Sequence, residues 1–371
     1  MSMWKRVISG YNNKNLYQVV AKPDEYMRFK MKRILIINTG GTIGMVKTSE
    51  GYKPDGRAFS KLLRDTDLLK AEGMPSWDLA ELDELLDSSN ITVAEWNKIG
   101  KLIADAYESY DGFVVLHGTD TMAYTASALS FMLEHISKPV IITGSQIPLC
   151  EIRSDGRDNI VTSLLIAASD VVHEVCIYFG NKLLRGNRAI KYSADELIAF
   201  MSPNYPVLAE AGISISYNKA YLKPKDTEGF CFVPFENVPI GVIKVFPGIQ
   251  FELFEPILTE RLRGIVIETF GSGNIPGYGG TLLPIVKKAF ANGTIVTVCS
   301  QCPQGTVMLG AYETSMALKN AGAVSGFDIT TEAAVAKLYY LFSKGYSTEK
   351  IKYLMEENLC GEMRNKSEAK Q

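Results

Sequence analysis

Two threonines stand where a chain can do chemistry. Thr42 closes the stretch INTGGT, directly after the apolar run ILII, and Thr119 with Asp120 closes LHGTD, directly after GFVV. A threonine hydroxyl attacks a carbonyl only when another group takes its proton. A carboxylate beside a second hydroxyl suits a ligand that carries an ammonium group. The glycines permit positive φ and let backbone come close to a ligand. One Gly-Gly-Thr can simply turn a corner, but two Gly-Thr turns at matching strand ends argue for a shared site.

Histidine is the usual base, and the chain has 3: His117, His135 and His173. His117 lies two residues before Thr119 and reads as a packed strand residue. His135 and His173 end helical segments, where a cation suits the dipole. That leaves a tyrosine, a lysine or a carboxylate. Lys191, in RGNRAIK, follows strand-like sequence and can reach the same place, although composition does not single it out. LLDSSN offers Asp87, Ser88 and Ser89 before a helix. They can cap that helix, or they can hold a substrate carboxylate through a hydroxyl and a backbone N–H, and spacing leaves both open.

The elements that must position these groups alternate. RILIIN, GFVVLHGTD and KPVIITGSQ are continuous apolar strands, and amphipathic or apolar helices separate them. The helix after LLDSSN opens with a capping box, Thr92 to Glu95. Buried strands joined by helices predict an α/β fold, a mostly parallel sheet flanked by helices in a larger N-terminal domain. Parallel strands present their C-terminal ends at one edge, where such sheets bind ligands. Thr42, Thr119 and Asp120 are therefore expected to meet there, with a helix starting near Thr121 aiming free N–H groups at the same place. The alternation weakens between about 200 and 238 and resumes with PIGVIKV, LRGIVIETFGSGN and GTIVTVCSQ. The expected organisation is an N-terminal extension at 1–30, a site-bearing domain at 31–211, a linker at 212–238 and a smaller C-terminal α/β domain at 239–371.

Bulk properties narrow the class. The 371 residues carry a net charge of −2, so no basic field is available for nucleic acid or an anionic membrane. No apolar run approaches the ~20 residues of a membrane span. The first ten residues lack the apolar core of a secretory signal. The 6 cysteines are scattered rather than dense, which predicts a reducing cytoplasm. Cys299 and Cys302 form a C-x-x-C between a strand and a loop, a poor context for redox or zinc chemistry. A dinucleotide fold fails on the missing G-x-G-x-x-G.

TGGTIG followed by HGTDTMAYTASALSFML resembles the bacterial-type L-asparaginases, and KPVIITGSQIPL, RSDGRDN, RGNRAIK and GSGNIP extend the likeness from about 33 to 360. DSS at 87–89 is similar to the cytosolic, type I branch. The resemblance implies hydrolysis of L-asparagine to L-aspartate and ammonia through a threonine acyl-enzyme, with no metal and no organic cofactor. It implies that Thr42 is the nucleophile, Tyr52 of EGYKP stands beside it on a mobile loop, and Thr119, Asp120 and Lys191 form the second catalytic set. It further implies that Asp87, Ser88 and Ser89 bind substrate with Thr119 and Asp120, and that Asn274 is lent by a neighbouring subunit in a homodimer or homotetramer. Some cytosolic members bind a second asparagine through an arginine in the strand before G-x-G-N. Here Glu268 occupies that place and would repel a substrate carboxylate. Cys302 falls at the same site, and Ile190 replaces a polar residue beside Lys191. Such regulation is therefore not expected. A related amidase and a non-catalytic amino-acid sensor are the competing readings, and the intact set of site residues speaks against the sensor.

Overall fold

The structure is a computed structural model that describes residues 31–49, 51–276, 281–310 and 313–365. The proposed extension at 1–30 lies outside the described residues.

The larger sheet contains β1 (Arg33–Gly40), β2 (Ser76–Leu86), β3 (Gly112–Leu116), β4 (Val140–Thr143), β5 (Val175–Phe179), β6 (Lys182–Arg185), β7 (Ala209–Ala211) and β8 (Ile215–Tyr217). Their order across the sheet is β8-β7-β6-β5-β4-β3-β1-β2. The strands from β5 to β2 run parallel, and β6, β7 and β8 add antiparallel strands at the far edge. The parallel strands are joined through α1 (Gly56–Asp65), α2 (Val93–Ala106), α3 (Met122–Met132) and α4 (Gly156–Ala167). The two-residue period of β1 divides its side chains between two cores. Leu35 and Ile37 pack with Trp96, Ile99 and Ile103 of α2, whereas Ile34 and Ile36 pack with Phe59 and Leu63 of α1 and Ile160 and Leu164 of α4. A strand buried on both faces reads as an unbroken apolar run, which is why ILII shows no alternation. The capping box of α2 forms as expected, with Thr92 accepting from Ala94 N–H and Glu95 accepting from Thr92 N–H.

The connection at 212–238 is not free of structure. β8 pairs back on β7, and Cys231–Phe232 pairs with Leu133–Glu134. The second sheet, β9 (Ile240–Lys244), β10 (Gly264–Thr269), β11 (Ile295–Ser300) and β12 (Val324–Ser325), is parallel throughout. It packs with α5 (Leu282–Ala291), α6 (Glu313–Asn320), α7 (Thr331–Ser343) and α8 (Thr348–Met355). The two parts are joined by packing of α3 on α7 and by a buried ion pair, Arg188 Nη1 to Asp328 Oδ2 at 2.9 Å. No helix among the described residues is long and apolar enough to cross a membrane.

Candidate active site

The parallel strands β1, β2 and β3 end in three loops packed backbone against backbone. Gly40 and Gly41 have φ of 108° and 81°. A Cβ on Gly40 would lie 2.3 Å from Leu86 O, and one on Gly41 would lie 2.3 Å from Gly118 N. One on Gly118 would lie 2.6 Å from Ser88 Oγ. Only glycine permits these approaches, and they draw Thr42, Ser88 and Thr119 to one cleft. The Gly-Gly turn after β1 is a packing requirement that has a chemical consequence.

The cleft has a volume of about 240 Å³ and is lined by Thr42, Asp87, Ser88, Thr119, Asp120 and Lys191, together with Gly41, Met45, Gly118, Gln146 and Ala194. Thr42 opens a short 3-10 turn, Thr42–Gly44, and no side chain caps that turn. Lys191 arrives from the antiparallel edge, beyond β6 and a 3-10 turn at Gly186–Arg188. Its Nζ donates to Thr119 Oγ1 at 2.9 Å and to Asp120 Oδ1 at 2.6 Å. Asp87 accepts from Ser89 N–H at 3.0 Å and from the Ser89 hydroxyl at 3.1 Å, so it caps the short 3-10 turn Ser88–Asn90, whereas the helix that follows is capped by Thr92 and not by DSS. Asp87 and buried Ser88 also face the cleft. Ser89 spends its hydroxyl on Asp87 and is not among the lining residues. α3 begins just past Thr121 with no side-chain cap, leaving N–H groups of its first turn available near Asp120.

His117 is fully buried, and burial lowers its imidazole to about 4. Its Nδ1 lies 2.7 Å from Gly118 O, which only accepts, so Nδ1 carries the hydrogen. Its Nε2 accepts from Thr125, whose oxygen in turn accepts from Trp96 Nε1. The ring is a neutral strut behind the Thr119 loop, as its packed position predicts. His135 lies past the end of α3 rather than in its last turn. It has φ of 56° and sits between Asp226 at 3.1 Å and Glu228 at 3.3 Å.

Besides Ser89, two more expected site residues, Tyr52 and Asn274, are not among the lining residues. Tyr52 stands on a hairpin, Met45–Thr48 with Gly51–Pro54. Its hydroxyl donates to Glu151 Oε1 at 2.6 Å, and that bond holds the phenol above its ordinary range. Asn274 closes a tight turn after β10, exchanging backbone hydrogen bonds with Phe270. Glu268 lies on β10, where Thr331 Oγ1 donates to its Oε1 at 2.7 Å. Glu332 stands next to Thr331 at the start of α7, and Glu268 adds to the burial that raises its carboxyl to about 7. This region is therefore acidic, as the glutamate at 268 implies. Cys302 is exposed and Cys299 buried, both as free thiols.

Among the lining residues with polar side chains, Gln146 is the one that sequence reasoning passed over. Its signal was available: it follows β4 as Thr42 follows β1 and Thr119 follows β3. Among the described residues no group of three or more His, Cys, Asp or Glu could hold a metal ion.

Residues 33–223 match the N-terminal asparaginase domain, and residues 239–355 match the glutaminase/asparaginase C-terminal domain. The chain is 42% identical to L-asparaginase 1 of Escherichia coli (strain K12), over 90% of its own length and 98% of that protein's. It is 40% identical to the 60 kDa lysophospholipase of Mus musculus, over 90% of this chain and 62% of that one. Among solved structures, L-asparaginase I from Vibrio cholerae O1 is similar with a TM-score of 0.84 at 45% identity, covering 90% of this chain and 99% of that one.

Proposed function

Because this chain belongs to the asparaginase family, we propose that it hydrolyses L-asparagine to L-aspartate and ammonia through an ester on Thr42. The observation that carries the reading is the meeting of Thr42 with the bonded set Thr119, Asp120 and Lys191 in one small polar cleft. A cleft walled by hydroxyls, carboxylates and an ammonium suits an amino-acid amide rather than an acyl chain.

Asp120 keeps one carboxylate oxygen free of Lys191 and takes the substrate α-ammonium there. Ser88 and neighbouring N–H groups take the α-carboxylate. Thr42 Oγ attacks the side-chain amide carbon, and N–H groups beside the Gly-Gly turn hold the developing oxyanion. Ammonia leaves with a proton, and water then attacks the ester to release aspartate and restore the hydroxyl. Lys191 either serves as the base or stays charged and eases removal of a hydroxyl proton. Glutamine is a poorer substrate, since one methylene is worth ~1–3 kcal/mol in a pocket.

Tyr52 is assigned to cover the cleft after leaving Glu151, and Asn274 to complete the site of a neighbouring copy. The chain acts as a cytoplasmic homodimer or homotetramer in this reading. Support for a covering partner comes from the exposed apolar rim next to the cleft, Tyr192, Leu197 and Ile198. With Glu268 where an anion site would need a cation, the dependence of rate on asparagine is hyperbolic.

The test is ammonia release from L-asparagine, L-glutamine and D-asparagine over a concentration series, with wild type and Thr42→Ala. The expected result is a preference for L-asparagine and a loss of several orders of magnitude in the variant, with L-aspartate binding retained. Near-normal turnover by Thr42→Ala removes the nucleophile assignment, and a sigmoidal curve removes the claim of simple saturation.

A further inference from the structure

Gln146 links the catalytic hydroxyl of Thr119 to the opposite wall of the cleft, and the chemistry of its partners orients every hydrogen bond. Its Nε2 lies 3.1 Å from Ala194 O and 3.1 Å from Glu196 O. Carbonyl oxygens only accept, so the NH2 end of the amide must face them and Oε1 must face Thr119. Oε1 also only accepts. The Thr119 hydroxyl, 3.2 Å away, therefore donates to it. With that proton committed, Thr119 Oγ1 meets Lys191 Nζ as an acceptor. The result is a one-way chain: Lys191 donates to Thr119, Thr119 to Gln146, and Gln146 to the wall at 194–196. The residue's own backbone is fixed independently. Gln146 N–H and Ile147 N–H both donate to the Asp155 carboxylate at the head of α4.

We propose that Gln146 is a positioning residue for the reaction, holding the Thr119 hydroxyl so that its lone pair faces Lys191 and its proton faces away. The inference rests on the asparagine-hydrolase reading above and adds a residue to it. Without the Oε1 acceptor the Thr119 hydroxyl is free to turn its proton toward Lys191. An ammonium group and a hydroxyl proton cannot share one bond, so Lys191 then loses its aligned partner and settles on Asp120 alone. Small misplacements of this kind cost up to ~100-fold in rate when geometry is set by a few bonds. The same side chain carries Ala194, a lining residue, so loss of its two donors also loosens the cleft wall.

Two variants separate these effects. Gln146→Leu removes acceptor and donors together, whereas Gln146→Glu keeps an oxygen for Thr119 and loses the donors to the wall. Ammonia release from L-asparagine is expected to show kcat about 30- to 100-fold down for Gln146→Leu. For Gln146→Glu, kcat is expected within ~5-fold of wild type, with KM raised about 10-fold. The decisive arm is a double-mutant cycle with Thr119→Val. If Gln146 acts through the Thr119 hydroxyl, Gln146→Leu lowers kcat less than ~3-fold once that hydroxyl is gone. A residue that only supports the fold gives the same loss in both backgrounds. Binding of L-aspartate by calorimetry is expected to weaken about 10-fold for Gln146→Leu, from the same loss of wall donors that raises KM for Gln146→Glu, and an unchanged melting temperature shows that the variant is folded. Multiplying effects in the cycle, or a kcat for Gln146→Leu within ~3-fold of wild type, overturn this inference alone. Absence of asparagine hydrolysis by the wild-type protein overturns the underlying functional reading instead.

Discussion

Glu332 gives the prediction with the clearest magnitude. It lies in the first turn of α7 beside Glu268 of β10, with Tyr124 of α3 and Cys299 of β11 close enough to feel the same charges. Burial lifts its carboxyl from an ordinary 4.5 to about 7, and Glu268 pushes the same way against the Thr330 hydroxyl and a backbone N–H. The native state thus disfavours the ionised form. Below pH ~4.5 the group is protonated folded or unfolded and costs nothing. Between 4.5 and about 7 the unfolded chain ionises first and the penalty grows, and above about 7 it is constant. At ~1.36 kcal/mol per pH unit the gap corresponds to ~3 kcal/mol. Partial solvent contact and the loss of a carboxylate from a helix first turn, worth 0.3–1 kcal/mol, reduce the net gain from Glu332→Gln to about 2 kcal/mol. Thermal unfolding of wild type and variant at pH 5 and pH 8.5 is the assay. The variant should melt a few degrees higher at pH 8.5, with the difference shrinking toward zero at pH 5. A difference independent of pH, or one that favours wild type at pH 8.5, refutes the reasoning.

Other outcomes follow from the same geometry. Lys191→Met should lose activity by orders of magnitude while the melting temperature moves little, because Asp120 is exposed and needs no buried partner; parallel losses in activity and stability would make Lys191 structural. Gly41→Ala should lose both turnover and stability, since its φ is 81° and the new methyl meets Gly118 backbone, and normal kinetics from this variant would contradict the packed-loop account. Asp328→Asn should destabilise by ~3–5 kcal/mol, measured by chemical denaturation, because Arg188 is left buried without its carboxylate. Only a small change there would show that water reaches Arg188.

Local sequence carried much of the architecture because its signals are local in origin. Strands buried on both faces must be apolar at every position, so ILII and FVVL announced themselves. Thr92 and Glu95 satisfy orphan helix N–H groups within one turn and could be recognised without any distant partner. The placement of Thr42 with Thr119 also followed from sequence, since parallel strands share one exit edge. Gln146 obeyed the same rule and was missed because an amide has no reactivity of its own to attract notice.

What sequence by itself determined is the set of strand ends and the residue types waiting there. Tertiary structure alone decided how they engage. Lys191 comes from an antiparallel excursion whose path no periodicity encodes, and its distances to Thr119 and Asp120 exist only after the sheet edge folds back. The direction of Tyr52, bonded to Glu151 and outside the cleft lining, depends on a hairpin packing against a segment distant in sequence. Burial and capping are satisfied within a strand or a turn, whereas hydrogen-bond partners across a cleft are set by long-range packing, here by glycine loops whose backbones touch.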